Sequence, residues 1–289
     1  MLIIDNSPDF RVIRKCKVLS IGKSGTRETV SKYYLNDSLL PNVANEKDLG
    51  INIESNLAWC SHIKSNISKA KQCIGWVKRN VISRSADVMV NIYKSLIRPH
   101  LEYCVQLWNP KAEHGNWATI MNLESVQREY TRLIDGIGLL TYKERLDKLK
   151  LTTLIERRAR GDLIEVFKIF RGLCMYGKTL LKFSRSGMNI VLKSSCPGVN
   201  NFELRVANYW NKLPDKLKMA DTVINFKIGL EIYKKENISK QGTDNYWDLA
   251  DEVYSRIYDN NRQSYVSFME ENEYIARRRG INTAGININ

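Results

Sequence analysis

The sequence predicts a mainly α-helical protein in which a few short strands precede a series of helices. From Ile63 to Val81 the apolar residues recur every three or four positions, which is the period of one face of an α-helix. The same period returns in several later segments. Before residue 55 the apolar runs are short and are separated by glycine, asparagine and aspartate, a pattern typical of strands joined by turns.

The composition indicates a folded and strongly basic protein. Of the 289 residues, 43% are hydrophobic, which is enough apolar material for a core. Lys and Arg number 45 against 31 Asp and Glu, so the net charge is +14 at pH 7. Such an imbalance causes self-repulsion in the compact state, and a polyanionic partner is the usual reason for it. We expect nucleic acid first and an anionic membrane surface second, with incidental basicity as the third explanation.

The cysteines and the N-terminus indicate an intracellular protein, cytoplasmic or nuclear. None of the six cysteines forms a C-x-x-C pair, and scattered cysteines are typical of free thiols in a reducing compartment. The first residues lack a basic segment followed by a long apolar run, so no signal peptide is predicted. No stretch approaches the roughly 18 apolar residues of a membrane span, and we expect no membrane partner.

Residues 1–54 are predicted to hold short strands and turns. Candidate strands lie at 15–21, 32–35 and 48–53, and Asn36 and Asp37 follow the second of them as turn residues. An isolated hairpin is only marginally stable in water. We therefore expect these strands to lean on the following helices or on a sheet that this sequence does not contain.

Residues 55–173 are predicted to form a helical domain. The first helix begins near Trp59 and carries an apolar stripe at Ile63, Ile67, Ala70, Ile74, Val77 and Val81. The second begins near Ser85 and turns six residues inward: Ala86, Met89, Val90, Tyr93, Leu96 and Ile97. Pro99 is expected to interrupt it, because proline lacks the backbone N–H and clashes with the preceding turn. Further helical segments are predicted at 101–108, 117–134, 142–149 and 153–173.

The remainder of the chain is predicted to be less regular. Residues 174–236 are a C-terminal extension with two short helices, at 202–210 and 222–235, after an irregular segment that contains glycine and proline. Residues 237–289 are a poorly assigned tail with one candidate helix at 246–260. The chain shows no internal repeat at a solenoid period.

Few residues form a pattern that carries chemistry. The segment at 21–25 contains Gly-Lys-Ser but lacks the earlier glycine of a phosphate-binding loop, and no G-x-S-x-G turn is present. His100 and Cys104 are four residues apart and could share a helix face, but a metal site needs three or four ligands. The sequence has no Asp-Asp pair of the kind that holds two Mg²⁺ ions. We therefore predict no catalytic and no metal-binding residues.

Two clusters of basic residues are the features that indicate a binding partner. Between Glu54 and Asp87 the sequence has no acidic residue, whereas a solvated helix face normally mixes both signs. A helix face that carries only positive charges is better explained by a phosphate backbone that binds there. The predicted nucleic-acid-binding residues are Lys64, Lys69, Lys71, Lys78, Arg79 and Arg84 in this window, together with Arg157 and Arg158 at the start of the long helix. Trp59 and Trp76 could stack on bases, although core positions are the favoured explanation for both.

Several segments of the sequence together form a recognisable set of motifs. The most specific is 93–104 (YKSLIRPHLEYC), which contains Arg98-Pro99-His100. The other segments are 15–22 (KCKVLSIG), 46–51 (EKDLGI), 57–59 (LAW), 108–110 (WNP), 123–128 (LESVQR), 142–146 (YKERL), 151–158 (LTTLIERR), 160–164 (RGDLI) and, more weakly, 207–214 (ANYWNKLP). In this order and spacing they resemble the reverse transcriptases of non-LTR retrotransposons, most closely the jockey-type family, and the resemblance covers roughly residues 10–230.

The resemblance implies the end of a polymerase palm followed by a thumb. The strand at 15–21 would be the last of the palm sheet, Leu49 and Gly50 would lie in a turn like the primer grip, and the helices from Trp59 onward would form a thumb-like bundle. The family's catalytic aspartate motifs would precede this sequence, which contains none of them, and Mg²⁺ would belong to that missing palm. We therefore expect a fragment that is not an enzyme on its own, needs no cofactor and has RNA or an RNA–DNA duplex as its partner.

A second hypothesis treats the chain as a helical protein-interaction module without a nucleic-acid role. Strands taken from a palm sheet would leave an exposed edge and apolar surface. Such a surface favours self-association through the strand remnants or binding of another protein. Size-exclusion chromatography with and without nuclease treatment distinguishes the two hypotheses.

Overall fold

The computed structural model describes residues 16–21, 32–110, 117–174, 180–185, 187–192 and 202–238, and contacts divide the chain into two compact units, Met1–Lys69 and Ala70–Asn289. The strands are β1 (Val18–Leu19), β2 (Tyr34–Leu35), β3 (Ser38–Leu39), β4 (Asn42–Val43), β5 (Asn45–Asp48) and β6 (Ile51–Glu54). The helices are α1 (Cys60–Asn80), α2 (Ala86–Ile92), α3 (Arg98–Glu102), α4 (Val105–Trp108), α5 (Trp117–Thr131), α6 (Tyr142–Leu149), α7 (Leu154–Phe170), α8 (Phe202–Lys212), α9 (Asp215–Lys218) and α10 (Val223–Ile238). Helices hold most of the described residues, which confirms the predicted mainly α fold class with small hairpins at the N-terminal end.

Two tight hairpins account for most of the strands in the first unit, and β1 pairs with β4 in parallel. β2 and β3 pair antiparallel through Asn36 and Asp37, which both have positive φ, as in a type I′ turn. β5 and β6 also pair antiparallel, and between them Leu49 and Gly50 have φ of 45° and 86°. The predicted continuous strand at 48–53 is therefore wrong. The chain reverses in its middle, because Gly50 adopts positive φ without a steric penalty.

α1 buries the stripe that the sequence predicts. Ile63, Ala70, Ile74 and Val77 are buried and Ile67 is half-buried. The periodicity of the apolar residues thus predicted both the helix and the side on which it packs. The opposite side of α1 is left to solvent.

Pro99 widens its helix instead of ending it. Directly before it the chain forms a π turn, Tyr93–Ile97, in which the Arg98 N–H donates to the Tyr93 carbonyl, and α3 follows without a break. A π turn holds an extra residue, which gives the proline ring room that a regular α-helix does not provide. The buried residues of this segment recur at every fourth position: Met89, Tyr93, Ile97 and Leu101. Leu96, which was predicted to face inward, is exposed because the wider turn shifts the packed face.

α6 and α7 begin at threonine caps with a glutamate three residues later. The Thr141 side chain accepts from the Glu144 N–H while the Glu144 carboxylate accepts from the Thr141 N–H, which is a complete capping box. Thr153 Oγ1 accepts from the Glu156 N–H at 3.2 Å in the same way. The predicted helices at 142–149 and 153–173 are confirmed, although the second ends one turn early.

α7, α8 and α10 share one apolar core. Its buried residues are Leu163, Val166, Phe167, Ile169, Leu181, Ile190, Val206, Ala207, Trp210, Leu213, Phe226 and Leu230. Near its centre the rings of Phe167 and Phe226 stack with their centroids 4.3 Å apart. The predicted extension at 174–236 therefore packs on the long helix that precedes it. The candidate helix at 246–260 lies outside the described residues.

Gly161→Ala is expected to stabilise the protein. Gly161 lies inside α7, and a Cβ placed there would meet no atom within 4 Å. Alanine is favoured over glycine in a helix because it has less backbone entropy to lose, so the free energy of unfolding in urea should rise by about 0.5–1 kcal/mol. Gly229→Ala in α10 is the matched comparison. Its Cβ would lie 2.5 Å from a Leu217 methyl group, so the gain there should be smaller or reversed, and a larger gain at residue 229 would contradict this account.

Candidate nucleic-acid interface

The outer side of α1 carries a row of three lysines. Lys64, Lys71 and Lys78 are exposed and follow one another at intervals of seven residues, which is close to two helical turns. They therefore lie along one side of the helix. Lys78 Nζ is 2.9 Å from Glu129 Oε1, and this pair offsets part of its charge. Lys64 and Lys71 form no ion pair with any residue that the structure describes.

Other basic and aromatic side chains of α1 lie farther round the helix. At about 3.6 residues per turn, Lys69 and Trp76 fall on a different side from the lysine row. Arg79 is exposed and Lys69 is half-buried. Trp76 is 50% exposed and lies three residues before Arg79, whereas Trp59 is buried. Of the two tryptophans considered for stacking on bases, only Trp76 presents its ring to solvent, and Trp59 is a core residue.

The β5–β6 hairpin is joined to the start of α1. Glu54 Oε1 accepts from the Ser61 N–H at 2.8 Å and also from the Ser61 hydroxyl. A carboxylate is favoured there by the free N–H groups of the first helical turn. The Asn52 N–H donates to His62 Nδ1 at 3.3 Å, and burial lowers the pKa of His62, which favours the neutral ring that can accept this bond.

The tip of this hairpin is exposed. Leu49 presents 83% of its surface to solvent and has a positive φ, which is uncommon for a residue other than glycine. Leu49 and Gly50 form the tight turn between β5 and β6. A contact between this turn and a primer strand stays a prediction.

Arg84 holds the C-terminal end of α1. Its Nη2 donates at 2.9 Å to the backbone carbonyl of Lys78, in the last turn of the helix. Its own carbonyl accepts from the Asp135 N–H at 3.1 Å. Because the side chain is half-buried and engaged with the helix end, it adds less to the outer surface than the three lysines do.

The second predicted cluster, Arg157 and Arg158, is not an open basic surface. Arg157 binds the Glu102 carboxylate through both Nε and Nη2. Arg158 is 1% exposed, and its Nε donates to Asn109 Oδ1 at 3.0 Å. A phosphate group cannot reach a side chain enclosed by the fold. We therefore correct the assignment of Arg158 to a structural role and leave Arg157 out of the candidate interface.

Arg158 belongs to a buried polar network that connects α7 with α8 and with the residues around α4. Asp162 accepts from Arg205 Nε at 2.8 Å and from Arg205 Nη2 at 3.1 Å, and both side chains are buried. Asn109 Nδ2 donates to Asp162 Oδ2 at 3.1 Å, so one amide side chain connects Arg158 to the ion pair. Arg205 Nη2 also donates to the Gln106 carbonyl at 2.9 Å.

A second buried network centres on Glu124 in α5. Its two oxygens accept from the Leu154 N–H at 3.1 and 3.0 Å, and Oε1 also accepts from the Tyr142 hydroxyl. Gln127 donates to the Tyr142 hydroxyl at 2.8 Å and accepts from the Tyr93 hydroxyl. Burial raises the pKa of Glu124 and raises the pKa values of Tyr93 and Tyr142 well above their usual range. These groups are enclosed, so their role is to join the helices that carry them.

Neither a metal cluster nor a membrane span occurs in the described part of the chain. Its histidine, cysteine, aspartate and glutamate side chains form no group of three or more that could hold a metal ion. His100, paired with Cys104 on sequence spacing, has its Nε2 3.7 Å from Cys73 Sγ. None of the helices in these residues is long and apolar enough to cross a bilayer.

The buried networks are the features that reasoning from sequence missed. Glu124 and Gln127 share the inward face of α5 with Leu123 and Tyr130. The sequence did contain a signal for these networks. Glu124 and Gln127 fall among the apolar residues of one helix face, and a polar side chain in such a position is enclosed when that face packs.

Comparison with family models, with curated proteins and with solved structures finds no match for this chain. What can be proposed about function therefore depends on the outer side of α1, on the hairpin joined to it and on the resemblance in the sequence.

Proposed function

We propose that the protein derives from the RNA-directed DNA polymerase of a non-LTR retrotransposon and binds RNA or an RNA–DNA duplex without sequence specificity and without catalysing polymerisation. The observation that carries this proposal is the exposed row of Lys64, Lys71 and Lys78 in a window without acidic residues. Lysine heads are point charges that contact phosphate oxygens, and such contacts position a protein without reading bases. The family resemblance supports the same role, since these lysines lie on the helix expected to begin the thumb.

The length of the row suits a nucleic-acid backbone. At a rise of about 1.5 Å per residue, Lys64 and Lys78 are roughly 21 Å apart along the helix axis. Successive phosphates of one strand are about 3.4 Å apart along the duplex axis, so the row is long enough to contact more than one phosphate. Arg79 adjoins Lys78 and extends the basic surface. The ring of Trp76 is exposed as well, but it lies farther round the helix than the row.

The β5–β6 hairpin gives the proposal a second support, within the first unit. In the family that the sequence resembles, the turn at Leu49 and Gly50 corresponds to the primer grip. The Glu54–Ser61 hydrogen bonds hold this hairpin to the first turn of α1. The hairpin and Lys64 therefore belong to one local structure, in which the proposed primer-contacting turn is tied to the first turn of the helix that carries Lys64.

Reversing two charges of the row is expected to weaken binding by at least about tenfold. Lys64→Glu/Lys71→Glu removes two phosphate contacts and sets two carboxylates against the backbone. Each phosphate contact contributes roughly −0.9 to the slope of log affinity against log salt, so the slope should become shallower by about two. Fluorescence anisotropy with a labelled RNA–DNA duplex between about 50 and 200 mM salt measures both the affinity and the slope.

The matched control is Lys182→Glu/Lys216→Glu, which changes the net charge equally at two exposed lysines outside α1. Circular dichroism establishes that both variants keep their helices. An equal loss in both variants would assign binding to net charge alone, and affinity that does not change with salt would contradict the proposal altogether. Primer extension by the purified chain with Mg²⁺ would contradict its non-catalytic part.

A further inference from the structure

α10 has a second apolar side that faces solvent. Phe226 and Leu230 point into the core shared with α7 and α8. Ile224, Ile228 and Ile232 are 67%, 54% and 52% exposed. Residues four apart lie one above the other on a helix, so the three isoleucines form a continuous row. A surface helix normally carries polar residues on this side, and the row therefore requires a separate explanation.

We propose that this isoleucine row is a homodimer interface, in which α10 of one protomer packs antiparallel on α10 of its partner about a two-fold axis at Ile228. In such an isologous contact each residue meets a position equally far on the other side of the axis. Ile228 meets its own copy, and Ile224 meets Ile232 of the partner subunit. The apolar residues are thus complementary to themselves when the second helix runs in the opposite direction.

The charges at the two ends of the row favour a second copy of this chain as the partner that binds it. Asp221 lies two residues before the start of α10, Lys235 lies near its C-terminal end, and both are exposed. In the antiparallel arrangement the end with Asp221 lies beside the end with Lys235 of the partner subunit, so opposite charges meet on both sides of the isoleucine centre. A parallel arrangement would instead set like charges against each other, which is unfavourable.

The acidic residue beside the isoleucines does not oppose this arrangement. Glu231, beside the isoleucines, is already engaged by Arg160 of its own chain, with Arg160 Nε 2.8 Å from Glu231 Oε1. The contact centres on a single helix and is therefore small, so we expect a reversible dimer with a dissociation constant in the micromolar range. This inference is independent of nucleic-acid binding, which is proposed for α1.

The first test is the mass of the full-length chain in sedimentation equilibrium after nuclease treatment, over a range of micromolar concentrations. The wild type should shift reversibly between monomer and dimer. Ile228→Lys should be monomeric throughout, because it sets two ammonium groups against each other at the axis. Ile82→Lys is the matched control, since Ile82 is 98% exposed and lies outside the row. It should dimerise like the wild type.

A charge exchange tests the antiparallel register itself. Asp221→Lys and Lys235→Asp should each weaken self-association by at least about tenfold, because each creates two like-charge pairs across the axis. An equimolar mixture of the two variants should dimerise again, since both pairs are then of opposite sign in the heterodimer. Failure of the mixture to recover would overturn the register, and a dimer that Ile228→Lys leaves intact would overturn the interface.

A wild type that stays monomeric at every concentration would also overturn the proposal. Removing residues 239–289 then identifies the occupant. Dimerisation that occurs only after this removal would mean that the chain's own tail covers the isoleucine row, in place of a second copy.

Discussion

Asp162→Ala is expected to lower the free energy of unfolding by about 3–5 kcal/mol. The substitution leaves the Arg205 guanidinium buried without its carboxylate, and it removes the acceptor of Asn109 Nδ2. A buried charge without a counter-charge is among the most destabilising changes that a single substitution can make. Urea unfolding followed by circular dichroism measures the loss.

A double variant separates the ion pair from simple loss of packing. Asp162→Leu/Arg205→Met removes both charges and fills the space with apolar atoms, and such replacements are often close to neutral. The double variant should therefore be more stable than either Asp162→Leu or Arg205→Met alone. If the losses of unfolding free energy in the two single variants add up in the double variant, the two side chains are not coupled and the ion pair does not stabilise the network.

Glu124→Ala should destabilise the protein by a similar amount, about 3–5 kcal/mol. The Leu154 N–H and the Tyr142 hydroxyl would lose their buried acceptor in the interior. Glu129 provides the matched control, because it lies five residues later in the same helix and pairs with Lys78 at the surface. Glu129→Ala should change the free energy of unfolding by less than about 1 kcal/mol. Equal losses at the two glutamates would contradict a special role for burial.

The pH dependence of stability provides a second readout for Glu124. Burial raises its pKa in the folded chain above the ordinary value of 4.5, so its contribution is complete below that value and is lost as the pH rises through the raised pKa. Glu124→Gln cannot titrate at this position. The wild type should therefore lose stability relative to Glu124→Gln as the pH rises from about 4.5, and a difference that is constant with pH would contradict the raised pKa.

Local pattern predicted much of the helical fold but not its irregularities. The stripe from Ile63 to Val77 identified α1 and its buried side, because the helical period depends only on neighbouring residues. The π turn before Pro99 was not predictable in this way. A proline can end a helix or distort it, and the packing of Tyr93 and Ile97 on the core favours distortion here.

Local helical period also predicted part of the candidate interface. Lys64 and Lys71 lie off the apolar stripe of α1, so their exposure followed from the helical period. Arg158 looks equally basic in the sequence, but its hydrogen-bonding partner Asn109 is 49 residues away along the chain. Asp162 likewise finds Arg205 at a separation of 43 residues.

The sequence by itself determined the mainly α class and the basic outer side of α1, because each depends on local period or composition. Only the tertiary structure decided which charges face water and which are enclosed. It removed Arg158 from the basic surface, built the networks around Asp162 and Glu124, and left the isoleucines of α10 exposed. Burial is a property of elements brought together from distant parts of the chain, and no local pattern specifies which distant partner will cover a given side chain.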